Sequence, residues 1–247
     1  MTDILRSEWT KIRSVRSTVW TLTITFLLMV GLGGAISAAS KATADGQPIP
    51  GDDAVMTSLT GMMLASLSIA TLGVLVISSE YRTGGIRTSL MAVPRRMSLL
   101  AGKIVVFTVT ALVVCTVAAA AAVAVGLAIL RPASVDMGGA VQSVLGAGLY
   151  LTVCGLFGLG LGTLVRHTPG ALVSAIALML VLPQLTGVLP GQWGKTIADH
   201  FTTNAGMEVV LDQPGNPLGP WSGLGVYALW VAVAVVAGGV LMQRRDA

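Results

Sequence analysis

The side chains capable of acid–base, nucleophilic or metal chemistry are few in this chain and far apart. The two histidines, His167 and His200, flank an uncharged stretch long enough to cross a membrane, so they cannot share a metal ion. Asp199 and Glu208 lie near His200 and are expected to be solvated loop groups. The chain has no GxxxxGK[ST], GxSxG, HExxH or CxxC motif. The sequence therefore predicts neither a catalytic site nor a metal site.

Composition places the chain in a membrane. Only 11% of its 247 residues are charged and 54% are hydrophobic, and the mean hydropathy is +0.82. Soluble domains carry about 25% charged residues. The net charge of +4 is spread between apolar runs, which favours a role in membrane orientation over nucleic-acid binding. Cys115 and Cys154 fall inside apolar runs and are expected to be packing residues, not half-cystines.

Six uncharged windows are each long enough for a membrane-spanning helix. They are continuously apolar, whereas the strands of a membrane β-barrel alternate in polarity. We therefore predict an all-α integral membrane protein with six transmembrane helices preceded by an amphipathic interfacial helix. The predicted segments of this single domain are an interfacial helix over 1–16, spans over 19–39, 56–78, 104–130, 139–165, 171–189 and 221–242, a cytoplasmic loop over 80–103, and an outer loop over 190–220.

The distribution of charge between the loops predicts the orientation. With a cytoplasmic N-terminus, twelve basic residues face the cytoplasm and three face outward, whereas four acidic residues face inward and seven outward. Cytoplasmic loops of membrane proteins are enriched in lysine and arginine. We therefore expect a multi-pass protein of the cell membrane with both termini in the cytoplasm.

The first segment, MTDILRSEWTKIRSVRSTVW, has apolar residues at helical spacing and basic residues between them. The apolar positions are Ile4, Leu5, Trp9, Ile12 and Val15. This pattern favours an amphipathic helix that lies along the inner leaflet. The alternative is an ordinary basic flank of the first span.

Polar residues within the spans are few and uncharged. Thr21 and Thr25 begin the first span, and Gln184 follows Pro183 in the fifth. Proline in a helix removes a hydrogen bond, so Pro183 is expected to kink the span and free a carbonyl. Two interpretations stay open: the kink serves packing, or these four residues line a substrate path.

Two further stretches predict local packing. The spacing Gly158-x-x-x-Gly162 allows helix backbones to approach closely, and we expect that contact within the fold instead of in a dimer. Trp193, Ile197 and Phe201 fall four apart in the last outer loop. They predict one aromatic face on a short helix at the outer membrane surface.

The stretch EYRTGGIRTSLMAVPRRMSLLAGK, Glu80–Lys103, gathers five basic residues and one acid between the second and third spans. Gly84 and Gly85 are expected to end the second span. A short amphipathic helix follows, with Ile86, Leu90 and Val93 on its apolar side, and Pro94 ends it. Orientation in the membrane accounts for the arginines but not for this glycine–helix–proline layout.

This layout resembles the six-span membrane subunits of type 2 ABC exporters. In that family a glutamate closes the second span, and a glycine-containing turn, a short helix, a Pro-Arg-like element and a Gly-Lys pair follow it. The matching residues here are Glu80, Gly84 or Gly85, Leu90, Pro94 with Arg95, and Gly102–Lys103. The chain length, the basic N-terminal helix, the long last outer loop and the element Thr203–Met207 are also similar. The chain departs from the family in carrying Gly-Gly-Ile where many relatives carry Gly-Thr-Leu.

The resemblance implies the permease subunit of an ATP-driven exporter that moves an amphipathic substrate: a drug, an antibiotic peptide or a lipid. A second permease subunit, identical or related, would complete the path in the lipid bilayer. A separate ABC ATP-binding subunit would hold ATP and magnesium, so no cofactor or enzymatic activity is expected in this chain. The residues implied in coupling to that subunit are Glu80, Ile86, Arg87, Leu90, Met91, Pro94 and Arg95. Glu80 would fix the end of its span against a nearby arginine.

Two other functions remain as alternatives. The first is a membrane assembly or immunity protein that transports nothing. The second is an intramembrane enzyme, which the sequence disfavours because no carboxylate or basic group falls within the predicted spans.

Overall fold

The computed structural model describes residues 2–44, 47–83, 96–211 and 217–244, and these residues contain six helices long and apolar enough to cross a membrane. This confirms the predicted all-helical, six-span fold. The helices are α1 (Thr2–Ser14), α2 (Arg16–Thr43), α3 (Gly51–Ser58), α4 (Met62–Thr83), α5 (Arg96–Leu130), α6 (Met137–Val165), α7 (Thr168–Ile176), a π-helical segment (Ala177–Val181), α8 (Leu182–Thr186), α9 (Gly191–Asp199), α10 (Thr202–Leu211) and α11 (Pro220–Arg244).

The fourth span, α6, is the centre of the bundle and packs against α4, α5, α7 and α11. In its most apolar window 72% of the residues are buried, against 22% for α2 and for the fifth span. An added Cβ on Gly158 would collide with the carbonyl oxygen of Ala70, and one on Gly73 with that of Gly155. The backbones of α4 and α6 therefore touch, and the predicted packing of the Gly158–Gly162 pair within the fold is confirmed.

Contacts between helix termini define two ends of the bundle. At one end, which we name the terminal end, Glu80 and α1 contact Lys103, and Arg166 donates to the carbonyl of Leu241 in α11. At the other, the distal end, Lys41 of α2 donates to the carbonyl of Ile129 in α5. Helix α1 and the C-terminal part of α11 therefore both lie at the terminal end.

Three spans differ in shape from the prediction. The second begins earlier, as α3, and turns at 59–61 before α4. The third starts at Arg96 instead of 104, because Leu99 and Leu100 are buried and extend the apolar packing toward the terminal end. The fifth is divided into α7, the π-helical segment and α8.

The predicted outer loop holds two helices, α9 and α10, of which α10 is largely buried against α6 and α11. Trp193 and Ile197 are exposed on α9, as an outward apolar face requires. The inclusion of Phe201 in that face is wrong, because α9 ends at Asp199. Phe201 instead packs against Trp230 of α11, with ring centroids 5.3 Å apart.

Candidate functional site

Four charged side chains from three helices meet at the terminal end, and we name them the charge cluster: Glu8 and Lys11 of α1, Glu80 of α4 and Lys103 of α5. Lys103 Nζ donates to Glu8 Oε2 at 2.7 Å and to Glu80 Oε1 at 2.6 Å. Lys11 Nζ donates to Glu8 Oε1 at 2.7 Å and to Glu80 Oε1 at 2.9 Å. Each lysine thus binds both glutamates, and the cluster joins α1, α4 and α5.

The charge cluster is electrically balanced, and two of its four members are buried. Lys103 is 1% exposed and Glu8 is 3% exposed. A buried charge is costly unless it is paired and hydrogen-bonded, and here two cations meet two anions. Partial burial lowers the pKa of Lys11, but its hydrogen bonds to Glu8 and Glu80 and their negative charges outweigh burial and raise that pKa above 10.5. Lys11 therefore stays protonated at neutral pH.

Local sequence explains how α1 reaches α5. Glu8 and Lys11 are three residues apart, so they share one face of α1. Ile4 lies one turn earlier and packs onto Gly102, where a Cβ would collide with its Cγ2 atom. Gly102 thus permits the close approach of the two helices, and Lys103 supplies the charge that holds them together.

One expectation for this region is corrected by the contacts. The expected arginine partner of Glu80 is wrong: its partners are Lys103 and Lys11, because α1 and α5 bring both ammonium groups to it. Ile4, on the apolar side of α1, packs on α5. The charge cluster holds this part of the helix against the bundle.

Arg166 forms a second connection at the terminal end. Its backbone is left-handed (φ 59°) and caps α6, with its N–H bonded to the carbonyl of Gly162 at 3.0 Å. Its Nη2 donates to the carbonyl of Leu241 at 3.0 Å, and its guanidinium carbon lies 5.0 Å from the ring centroid of Tyr81. Arg166 therefore ties the end of α4, beside Glu80, to α6 and α11.

The charge cluster has members on both sides of the segment that is predicted to couple to an ATP-binding subunit. Of the seven residues assigned to coupling, Glu80 is described, and the other six lie outside the described residues: Ile86, Arg87, Leu90, Met91, Pro94 and Arg95. Glu80 precedes this segment and Lys103 follows it, and their side chains are 2.6 Å apart. The two helices that enter and leave residues 84–95 are thereby held together.

The four residues assigned to a substrate path lie at different depths. Thr25 is buried, donates to the carbonyl of Thr21 and bonds the hydroxyl of Ser68 on α4, both at 2.8 Å. Thr21 is half-buried. Pro183 is buried and Gln184 exposed, both near the distal end of the fifth span. Thr25 thus contacts both Thr21 and α4, and no hydrogen bond between described residues joins either threonine to Pro183.

The α-helical hydrogen bonding of the fifth span is interrupted before Pro183, and the carbonyls that this frees are bound. The N–H of Leu182 bonds to the carbonyl of Ala177 in the π-helical segment, and Pro183 has no N–H to donate. The carbonyls of Leu178 and Met179 accept instead from hydroxyls of α10. The donors are Thr202, at 2.7 Å, and Thr203, at 2.9 Å. This joint attaches α10 to the fifth span.

The sequence matches a family model described as ABC-2 family transporter protein over residues 4–184. The match covers most of the chain and includes all four members of the charge cluster and Pro183. No curated protein matches the chain.

Proposed function

The chain belongs to the ABC-2 family of transporter proteins, and we propose that it is the permease subunit of an ATP-driven exporter. Members of this family are transport components that work with an ATP-binding subunit. Our proposal adds a location in the cell membrane, cytoplasmic termini, and pairing with a second permease subunit. ATP and magnesium would bind to the partner.

The observation that carries the proposal is the charge cluster. It fixes α1, the end of α4 and the start of α5 to one another at 2.6–2.9 Å on either side of residues 84–95. A force applied by an ATP-binding partner to that segment would therefore move these helices as one body. Such rigid-body motion is a common route from a binding event to a change in domain arrangement.

From the terminal end, α4 would carry the movement into the bundle. It contacts α6 backbone to backbone near Gly73, and α2 and α7 flank it. Between these flanks, Ser68 and Thr71 are half-buried on α4. We place the transport path on this face of α4, where a second subunit would close it.

The lining of this face favours an amphipathic cargo. The hydroxyls of Thr21 and Thr71 already donate to carbonyls one turn earlier in their own helices. They offer lone pairs but no charge, and the adjacent residues in sequence, Leu22 and Leu72, are apolar. A drug, an antibiotic peptide or a lipid would fit such a wall, whereas a small ion would lose its hydration without compensation.

Co-purification with a co-expressed ABC ATP-binding subunit tests the proposal. We expect a stable complex whose ATP hydrolysis in lipid drives movement of an amphipathic dye across vesicles. An ATPase variant with its phosphate-loop lysine replaced is the control and should bind without transport. Absence of association would contradict the proposal, and association without ATP-dependent transport would favour an assembly or immunity protein.

A further inference from the structure

The face of α1 that points away from the charge cluster is basic and aromatic. Arg6, Trp9 and Arg13 follow one another at spacings of three and four, which places them on one side of the helix. All three are exposed, and Trp9 is 50% exposed. Trp9 and Arg13, with the hydroxyl residues Thr10 and Ser14, line an open cleft of about 420 Å³.

The arginines on this face are not neutralised within the described part of the chain. There, no carboxylate lies within ion-pair distance of Arg6 or Arg13, whereas Lys11 on the opposite side binds both glutamates. A guanidinium presents donors in a planar fork that matches the oxygens of a phosphate, which makes arginine the preferred residue for such ligands. The face is therefore complementary to an anionic phosphate group.

The position of the cleft indicates that the phosphate belongs to a lipid headgroup. Helix α1 ends at Ser14, Val15 is extended (φ −79°, ψ 113°), and the first span begins at Arg16. The cleft thus lies at the point where the chain enters the membrane. Trp20, in the next turns of α2, is 66% exposed. Tryptophan is enriched at the depth of lipid headgroups.

We propose that Arg6, Trp9 and Arg13 form a binding site for the phosphate of an anionic phospholipid of the inner leaflet. Arg6 and Arg13 pair with the phosphate oxygens, and Trp9 lies between headgroup and acyl chain. The site anchors the outward face of α1 to the membrane while the charge cluster anchors the inward face to the bundle. This inference rests on the cytoplasmic placement of α1 in the proposed function, but not on transport.

Lipid selectivity of the full-length purified chain tests the site. The protein is equilibrated with equal amounts of phosphatidylglycerol and phosphatidylcholine, and retained lipids are counted by native mass spectrometry. We expect the wild type to enrich phosphatidylglycerol and R6Q/R13Q to lose that enrichment, by about fivefold for each arginine. The control K195Q/R244Q removes two exposed charges outside α1 and should keep it.

Each alternative to a lipid ligand predicts a different result in this assay. Unchanged enrichment in R6Q/R13Q, or an equal loss in K195Q/R244Q, would overturn the site. Competition by millimolar inorganic phosphate would identify a free anion as the ligand. Loss of ATPase association with lipid enrichment intact would identify a protein-docking face. Thermal unfolding of the variants checks their folding, and since the lipid assay contains no ATPase or cargo, its failure is separable from failure of the exporter proposal.

Discussion

Lys103 and Glu8 are 95 positions apart in sequence, yet the Lys103 ammonium nitrogen lies 2.7 Å from a Glu8 carboxylate oxygen. Both side chains are almost completely buried, and neither charge would be stable there without its partner. The N-terminal helix is therefore fixed to the third span by charge as well as by the packing of Ile4. This relationship makes α1 a structural part of the bundle.

Replacing Lys103 should destabilise the protein more than replacing Lys11, although each lysine binds both glutamates. Lys103→Met leaves buried carboxylates short of a cation, which costs about 3 kcal/mol or more. The side chain of Lys11 is 37% exposed, and Lys11→Met should cost about 1 kcal/mol or less because water screens that pair. The free energy of unfolding, measured by denaturant titration in detergent, distinguishes the two.

A double-mutant cycle tests whether Lys103 acts through Glu8. Adding Glu8→Gln should reduce the loss of unfolding free energy that Lys103→Met causes, because fewer unpaired charges then remain buried. Lys195→Met, an exposed substitution at the distal end, serves as the control and should be nearly neutral. Equal losses of unfolding free energy for Lys103→Met and Lys11→Met would show that burial does not determine how much each lysine stabilises the protein.

Thr203→Val should weaken the joint between α10 and the fifth span. The substitution keeps the size of the side chain but leaves the carbonyl of Met179 without its donor, which costs about 1–3 kcal/mol. In a Pro183→Ala background, Thr203→Val should destabilise the protein less. Alanine at position 183 has a backbone N–H, which proline lacks, and this N–H lies one turn after the carbonyl of Met179. Thermal unfolding measures both effects, and Thr196→Val, on the exposed face of α9, is the control.

Replacing Pro183 also distinguishes a role of this residue in packing from a role in transport. Pro183→Ala should leave assembly intact and alter preference among amphipathic cargoes if Pro183 and Gln184 shape the path. Transport of several such compounds in vesicles provides the measurement. Unchanged rates for all of them would assign the kink to packing alone.

Cysteine labelling should show which end of the bundle faces the cytoplasm. In a Cys115→Ala/Cys154→Ser background, Lys195→Cys should react with an impermeant maleimide in intact cells. Arg244→Cys and Arg87→Cys should react only after permeabilisation. Lys195 and Arg244 are exposed, so access to the reagent depends on the side of the membrane. Labelling of Arg87→Cys from outside would overturn the orientation.

The spans and their number follow from the sequence because each crossing must bury a long uncharged run, and this constraint is local. The joint at Pro183 is predictable only in part. Proline fixes which carbonyl is freed, that of Met179. The donor that binds this carbonyl, Thr203, lies 24 residues after Met179, in a segment that the sequence assigns to the surface. That α10 is buried depends on its packing against α6 and α11, which no local pattern specifies.

The sequence contains only a weak indication of the charge cluster. Ile4, Glu8 and Ile12 fall four apart, so the glutamate sits in the middle of the apolar side of α1. A carboxylate in such a position requires a cation from elsewhere. Lys103 stands out in the sequence as part of a Gly-Lys pair, but the sequence alone does not bring it to Glu8.

The remaining prediction concerns residues 84–95, which lie outside the described residues. We expect a short helix there whose apolar residues, Ile86, Leu90 and Met91, insert into a groove on the ATP-binding partner, while Arg87 pairs with a carboxylate at its rim. Apolar anchors at the centre of an interface contribute about 2 kcal/mol or more. An exposed ion pair contributes about 1 kcal/mol or less.

Leu90→Ala should therefore weaken association with the ATPase, or uncouple hydrolysis from transport, more than Arg87→Ala does. Expression and cysteine accessibility should remain those of the wild type in both variants, because neither residue lies in a span. Binding is measured by co-purification at graded detergent and salt, and since salt screens the ion pair, only the Arg87 contribution should fall as salt rises. If Leu90→Ala and Leu90→Asp both retain wild-type association and ATP-dependent transport, the basic segment serves only to orient the chain in the membrane.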